Sequence, residues 1–223
     1  IVWLRKHYTG LFKWPTIGEI INSYKEGWSI FVSSLAVNLY TATNVVVLGM
    51  LTNNVIVGYY SAADKLIICV RRGIYAVSDA IYPFISKMMK DNIPKGLQFI
   101  KKQLLLYLVV GLVGCTSLFF FSDTIVKLLF GADYNLTVDV LRILSFVPLA
   151  VAISTVFGEE TMLPLNMNSA YSRTLVLAAF FSLLSIFPLC YLWGAKGVAM
   201  TMLLTEFLIM IIMGGLLRKQ LFQ

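Results

Sequence analysis

The sequence predicts an all-α fold, a polytopic membrane bundle of six transmembrane helices, and three observations carry that prediction. Hydrophobic residues make up 59% of the 223 positions and charged residues only 13%, against about 45–50% and about 25% in an ordinary soluble domain. The mean hydropathy is +0.82. Apolar runs long enough to cross a hydrocarbon core about 30 Å thick recur along the chain, and the short segments between them hold most of the Lys and Arg. Lys and Arg outnumber Asp and Glu by 18 to 11. Without aromatic-plus-basic loops, that excess reads as lipid-facing anchors and not as a nucleic-acid surface.

Residues 1–26 read as a basic cytoplasmic lead-in with Arg5, Lys6, Lys13 and Lys25, broken by Pro15. No cleaved signal is evident, and with Ile1 in place of an initiator Met the chain is expected to begin partway along a longer protein. The six-helix transmembrane lobe then covers 27–217. Its first span, 28–50, has no charge, and Ser34, Asn38, Thr41 and Asn44 share about one third of its circumference. An uncharged turn, 51–57, leads to the second helix, 58–89. Beyond it Lys87, Lys90, Lys95, Lys101 and Lys102, with Pro94 and Gly96 between them, mark a second cytoplasmic loop.

The third span, 104–121, is of minimal length and precedes a mixed loop with Asp123, Lys127, Gly131 and Asp133. The fourth, 138–158, contains Arg142 and Pro148, which membrane helices tolerate when neighbours satisfy the freed carbonyl. Glu159, Glu160 and Pro164 are expected to end it. The fifth runs 172–193, a tight turn occupies 194–197, and the sixth runs 198–217 before a cytoplasmic tail, 218–223, with Arg218 and Lys219. With both termini inside, the cytoplasmic segments hold twelve Lys and Arg (Arg5, Lys6, Lys13, Lys25, Lys87, Lys90, Lys95, Lys101, Lys102, Arg173, Arg218 and Lys219), the other side three (Lys127, Arg142 and Lys196). That bias sets the expected orientation.

The second helix carries the chemistry. Ser61, Asp64, Lys65, Arg71, Arg72, Tyr75, Ser78, Asp79, Tyr82 and Ser86 fall within an arc of about 140°. Its midpoint lies near Arg72, so the Arg71 and Arg72 pair sits near the bilayer centre, where charge is costly unless it faces protein or a water-filled cavity. Two readings follow. The charges hold the bundle together by pairing, or they form a substrate site, for which an Arg pair suits a phosphate through bidentate, charge-assisted hydrogen bonds. On the second reading Arg71, Arg72 and Lys65 bind substrate, while Asp64 and Asp79 hold the arginines or titrate in a proton- or cation-coupled cycle.

Other candidates are fewer. Glu206, inside the sixth span, is a coupling or a paired carboxylate, and Asn38 and Asn44 bind substrate or bond across helices. Trp28, Tyr59 and Trp193 read as interface anchors. Cys69, Cys115 and Cys190 lie inside apolar runs and read as inert thiols. No metal spacing is visible, the lone His7 stands in the lead-in, and no cofactor is expected.

An ordered set of segments carries a family likeness. Trp28-Ser-Ile-Phe, Leu39-Tyr-Thr, Val47-Leu-Gly-Met, Val57-Gly-Tyr-Tyr-Ser-Ala-Ala-Asp-Lys, Ala80-Ile-Tyr-Pro, Ile85-Ser-Lys, Phe130-Gly-Ala-Asp-Tyr, Val140-Leu-Arg-Ile-Leu-Ser and Trp193-Gly-Ala-Lys-Gly-Val-Ala-Met, with Glu206, together resemble the O-antigen flippases, the Wzx-type polysaccharide transporters of the multidrug/oligosaccharidyl-lipid/polysaccharide exporter superfamily. The resemblance implies about twelve spans in two lobes, of which this chain supplies the second. It further implies a bacterial inner-membrane protein that moves undecaprenyl-diphosphate-linked oligosaccharide, as in O-antigen and lipopolysaccharide assembly, by rocking about a cationic cavity. The expected partners are that lipid-linked substrate, membrane lipids, the N-terminal lobe and a coupling proton or cation.

Three alternatives differ by visible features. A multidrug exporter of the same superfamily calls for an acid-dominated cavity. A membrane glycosyltransferase or polymerase calls for catalytic acids in an extended loop, whereas the loops here are short, so no enzyme activity is expected. A non-transporting scaffold calls for arginines sealed by salt-bridge partners.

Overall fold

The structure, a computed structural model, describes residues 16–131 and 133–221. The expected lead-in residues Arg5, Lys6, His7 and Lys13 lie outside the described residues. Those described form seven α-helices and no strand: α1 Ile17–Leu51, α2 Asn54–Asp91, α3 Ile93–Phe130, α4 Asn135–Leu144, α5 Val147–Phe157, α6 Asn168–Trp193 and α7 Ala195–Leu221, with a π-helical turn at Gly158–Met162. Five stretches are long and apolar enough to cross a membrane, Ile30–Leu51, Ile93–Phe130, Asn135–Met162, Asn168–Trp193 and Ala195–Gln220. The long, charge-bearing α2 packs among them. The fold is thus an all-α, multi-pass membrane bundle.

Local chemistry sets the boundaries, and several differ from the expected ones. Thr16 and Glu19 form a reciprocal capping box, with Thr16 N–H donating to Glu19 Oε2 at 2.7 Å, so α1 begins inside the segment read as a lead-in. The expected turn 51–57 shrinks to Thr52 and Asn53, because the Asn53 side chain accepts the Ile56 N–H at 3.0 Å and caps α2. The basic loop after α2 shrinks further, to Asn92 alone. This residue ends α2 and also caps α3 by accepting the Lys95 N–H at 3.1 Å, while Pro94 stands in the first turn, where its missing donor costs nothing. Lys95, Lys101 and Lys102 therefore lie on α3, and so do Asp123 and Lys127, which pair at 2.8 Å. At 38 residues, α3 far exceeds the minimal span read from its apolar centre.

The fourth span is broken in two. Pro148 cannot donate to the carbonyl of Leu144, and the chain turns at Ser145 and Phe146 so that Pro148 falls in the first turn of α5. Ser145 Oγ donates to Arg142 O at 2.7 Å and covers one carbonyl freed by the break. At the far end, Glu159 and Glu160 do not terminate the span but continue it as the π turn, where Thr161 Oγ1 donates to Val156 O, five residues back, at 2.7 Å. Gly194, at φ +55°, separates α6 from α7, so Lys196 and Gly197 belong to the first turn of α7 and not to a loop.

Two apolar cores hold the helices together, one at each end of the bundle. The first joins Leu48, Tyr60, Ile67, Leu141, Val151 and Val198. The second joins Tyr40, Ile85, Ile100, Met162, Ala178 and Met213. Large apolar side chains cover the outside, Leu105, Val109, Val113 and Phe120 along α3 among them, as a lipid-facing surface requires. Between the cores, near the middle of α2 and α7, lies a polar layer with Arg71, Ser78, Thr205 and Glu206.

The helical hairpin of α6 and α7 tolerates no side chain at Gly197, where a Cβ would stand 1.9 Å from Leu189 O. Gly197→Ala is expected to destabilise the protein by about 3 kcal/mol or more, as a backbone clash in a packed core does. Gly58→Ala in α2, where nothing lies within 4 Å, is expected to raise the unfolding midpoint slightly. Thermal unfolding of both variants in detergent checks the pair.

Candidate functional site

The polar layer opens into a cavity of about 450 Å³ walled by α1, α2, α5, the π turn, α6 and α7. Four α1 residues of one stripe, Ser34, Asn38, Thr41 and Asn44, all lie on its wall, as 3.6-residue periodicity dictates. Ser34 and Asn38 are exposed and stand at its mouth, whereas Asn44 is buried. Asn38 Nδ2 donates to Ser34 O at 2.9 Å and Thr41 Oγ1 to Val37 O at 2.8 Å, so their donors are satisfied within α1. Asn44 Oδ1 is buried without a hydrogen-bond partner.

Across the cavity, α2 presents Asp64, Ile68, Arg71 and Tyr75. Arg71 Nη2 lies 3.4 Å from Glu206 Oε1 on α7 and donates to the Tyr75 hydroxyl at 3.3 Å. The same Glu206 oxygen accepts from the Tyr40 hydroxyl of α1 at 3.0 Å. Arg71 and Glu206 are 8% and 3% exposed, which makes this a buried ion pair tied to three helices. Removing one partner of such a pair leaves an uncompensated charge, at a cost of about 3–5 kcal/mol.

The structure brings Asn38, Asn44, Asp64, Arg71 and Glu206 together and leaves Arg72, Lys65 and Asp79 outside the cavity lining. Consecutive residues of a helix point about 100° apart, and of the two only Arg71 lines this cavity. Lys65, Arg72 and Asp79, seven apart, form an exposed row on the next face of α2. The partner of Arg71 is Glu206, not the expected Asp64 or Asp79. The lining of this cavity within the bundle holds three carboxylates, Asp64, Glu159 and Glu206, against the single guanidinium of Arg71. The pairing that reduces a scaffold to inert packing is therefore present at Arg71, yet Arg71 still lines open space and Arg72 has no salt bridge among the described residues.

Sequence reasoning placed Tyr75 on the polar arc of α2 but missed Tyr40, Glu159 and Tyr171 as cavity residues. It also missed Glu160, which is wholly buried and accepts from Ser78 Oγ at 2.6 Å. One signal was available: apolar character resumes at Met162 and Leu163 after the two glutamates, which marks them as interior to a span and not beyond it.

The polysaccharide biosynthesis protein family matches residues 1–89. A protein of Escherichia coli (strain K12) named "Putative O-antigen transporter" is 32% identical over 194 residues, 87% of this chain and 47% of that protein. A protein of Shigella dysenteriae with the same name is 29% identical over 198 residues, 87% of this chain and 48% of its own. The chain spans about half the length of these curated relatives, and no solved structure matches it. Both relatives are named as transporters and not as enzymes. The likeness carried by the ordered segments is the one these relatives show: the chain is similar over most of its length to proteins named O-antigen transporters, and its first 89 residues match the polysaccharide biosynthesis protein family.

Proposed function

We propose that the chain forms one lobe of a flippase that moves an oligosaccharide linked to undecaprenyl diphosphate from the cytoplasmic to the periplasmic leaflet of the bacterial inner membrane, by alternating access against an N-terminal lobe. One observation carries the reading. Lys65, Arg72 and Asp79 stand exposed along the middle of α2, beside a polar cavity, whereas the outer face of α3 around Leu105, Val109 and Val113 is apolar. Charges at that depth are not tolerated against lipid, so this face meets water, protein or a charged ligand.

The roles divide by face. Arg72 and Lys65, with no carboxylate within ion-pair distance among the described residues, meet the diphosphate, the guanidinium by bidentate hydrogen bonds and the ammonium as a point charge. Inside the cavity Arg71 is largely neutralised by Glu206, and the surplus carboxylates Asp64 and Glu159 suit a proton or cation that couples transport to a gradient. Asn44, with its unpartnered Oδ1, and Asn38 at the mouth offer hydrogen bonds to sugar hydroxyls.

A second reading, a cation-coupled multidrug exporter, is favoured by the acid surplus of the cavity. The two separate in one experiment on the full-length protein. Lys65→Ala with Arg72→Ala is expected to lower surface polysaccharide about tenfold or more at normal protein levels, with Arg72→Lys retaining part of it. Undiminished polysaccharide in the double variant overturns the diphosphate role. Under the multidrug reading the same cells lose no polysaccharide, and Glu206→Gln sensitises them to lipophilic cations. Reporter fusions are expected to place Asn53 on the periplasmic side and Asn92 on the cytoplasmic side, and the reverse result breaks the proposed orientation.

A further inference from the structure

A second cleft, of about 350 Å³, lies between α2, α3 and α5, away from the polar cavity. Val70, Gly73 and Val77 form its α2 wall and point about 100–160° away from Arg72, so it does not share the face proposed to meet the substrate. Val110 and Gly114 of α3 stand opposite, Pro148 of α5 completes the cleft, and no charged residue lines it. Gly73 and Gly114 are exposed, and nothing lies within 4 Å of a Cβ placed on either, so the cleft is open to the outside of the bundle. Toward Asn92 it continues as a seam. On α2 Gly73, Val77, Ala80, Phe84 and Lys87 succeed one another at the spacing of one helix face, and on α3 Gly114, Val110, Leu106, Lys102, Phe99 and Lys95 do the same. Phe84 and Phe99 meet edge to face across the seam, their ring centroids 5.5 Å apart. Lys87, Lys95 and Lys102 are exposed, and none has a salt bridge among the described residues. At the opposite end of the bundle Lys127 and Lys196 pair with Asp123 and Asp139, each at 2.8 Å.

We infer that this seam binds an anionic phospholipid, with an acyl chain in the cleft and the phosphate at Lys87 and Lys102. The cleft selects hydrocarbon: an empty slot forfeits dispersion contacts, and water finds no set of polar partners there. Depth agrees with that occupant. From Leu118 to Tyr107 the cleft follows α3 for about 16 Å, and Lys102 stands about 8 Å beyond Tyr107, at the edge of the apolar run, where a headgroup begins. The Phe84 and Phe99 rings lie between Lys102 and Lys87 in level, so the ester region of the lipid rests against an apolar shelf with a lysine on either side. Charge selects the class of lipid. Unpaired lysines favour a headgroup with a net negative charge over one that carries its own cation. The site is independent of the substrate assigned above, and the orientation proposed above puts it in the cytoplasmic leaflet.

The test uses the full-length protein purified in detergent, its unfolding midpoint followed as dioleoyl phosphatidylglycerol, dioleoyl phosphatidylcholine or inorganic phosphate is added at constant ionic strength. Phosphatidylglycerol is expected to raise the midpoint saturably, phosphatidylcholine to act only at about tenfold higher concentration, and inorganic phosphate to leave the midpoint unmoved. Gly73→Leu and Gly114→Leu fill the cleft from positions with free space around them, and each is expected to weaken the effect of both lipids about tenfold. Before lipid is added they are expected to unfold no earlier than wild type, because Leu favours a helix over Gly. Lys87→Gln with Lys102→Gln is expected to erase the preference between the two lipids, whereas Arg173→Gln with Arg218→Gln, at the same end of the bundle on α6 and α7, is expected to keep it. Equal action of the two lipids on wild type overturns the site, as does an equal response to inorganic phosphate. A phosphatidylglycerol effect that survives in the glycine variants overturns it too, and so does a preference lost equally in the Arg173 and Arg218 variant, which reduces it to general surface charge. If one glycine variant fails to fold, the other decides.

Discussion

A guanidinium held halfway along a membrane helix must be met by protein or by water, and the way Arg71 is met organises this bundle. Glu206 neutralises it from α7, Tyr75 accepts from it one turn further along α2, and Tyr40 of α1 donates to the same Glu206 oxygen. Three helices are thereby fixed at one level, between two apolar cores that exert no directional preference of their own. The pair confers register more than raw stability, since burying both charges consumes most of their mutual attraction. Arg71, Tyr75, Tyr40 and Glu206 all line the cavity that opens beside this contact.

The broken fourth span follows from the same demand. A straight helix over 135–162 would carry Pro148 at its centre with an unsatisfied carbonyl behind it. Turning at Ser145 instead lets α4 pack on α2 and α5 on α7 at separate angles. The π turn at the end of α5 then shifts the helical register by part of a residue, which carries Glu159 onto the cavity wall and Glu160 to the opposite side against Ser78. Two adjacent acids thus serve two compartments, one wet and one sealed.

What the sequence made legible was whatever repeats along one helix. The α1 stripe of Ser34, Asn38, Thr41 and Asn44 and the polar arc of α2 follow from 3.6 residues per turn, and the whole α1 stripe borders the cavity together with Asp64, Arg71 and Tyr75 of the α2 arc. Partners between helices were not legible. Glu206 and Arg71 are far apart in sequence, and nothing local distinguishes Glu206 from Asp64 or Asp79 as the nearest acid. The charge of the cavity within the bundle was not legible for a related reason: the charges of α2 alone include Lys65 and Arg72, which face elsewhere, and omit Glu159 and Glu206, which arrive from other helices. Loop lengths failed where one residue does two jobs, as Asn92 does in capping both α2 and α3.

The separation of charge by face bears on what must lie against this chain. The row of Lys65, Arg72 and Asp79 crosses the middle of α2 on a surface exposed in the isolated chain, whereas the outer face of α3 is apolar enough for lipid. A bilayer in contact with the first surface would have to solvate three ionisable side chains at a cost of a few kcal/mol each. A second lobe, standing across a water-filled cleft, removes that cost and leaves the cations free to meet a phosphate. On the function proposed above, the diphosphate binds on one side of α2 while the acids occupy the other. Substrate and coupling ion would then act on a single helix from two faces, which is a physical means for the binding of one to bias the position of the other.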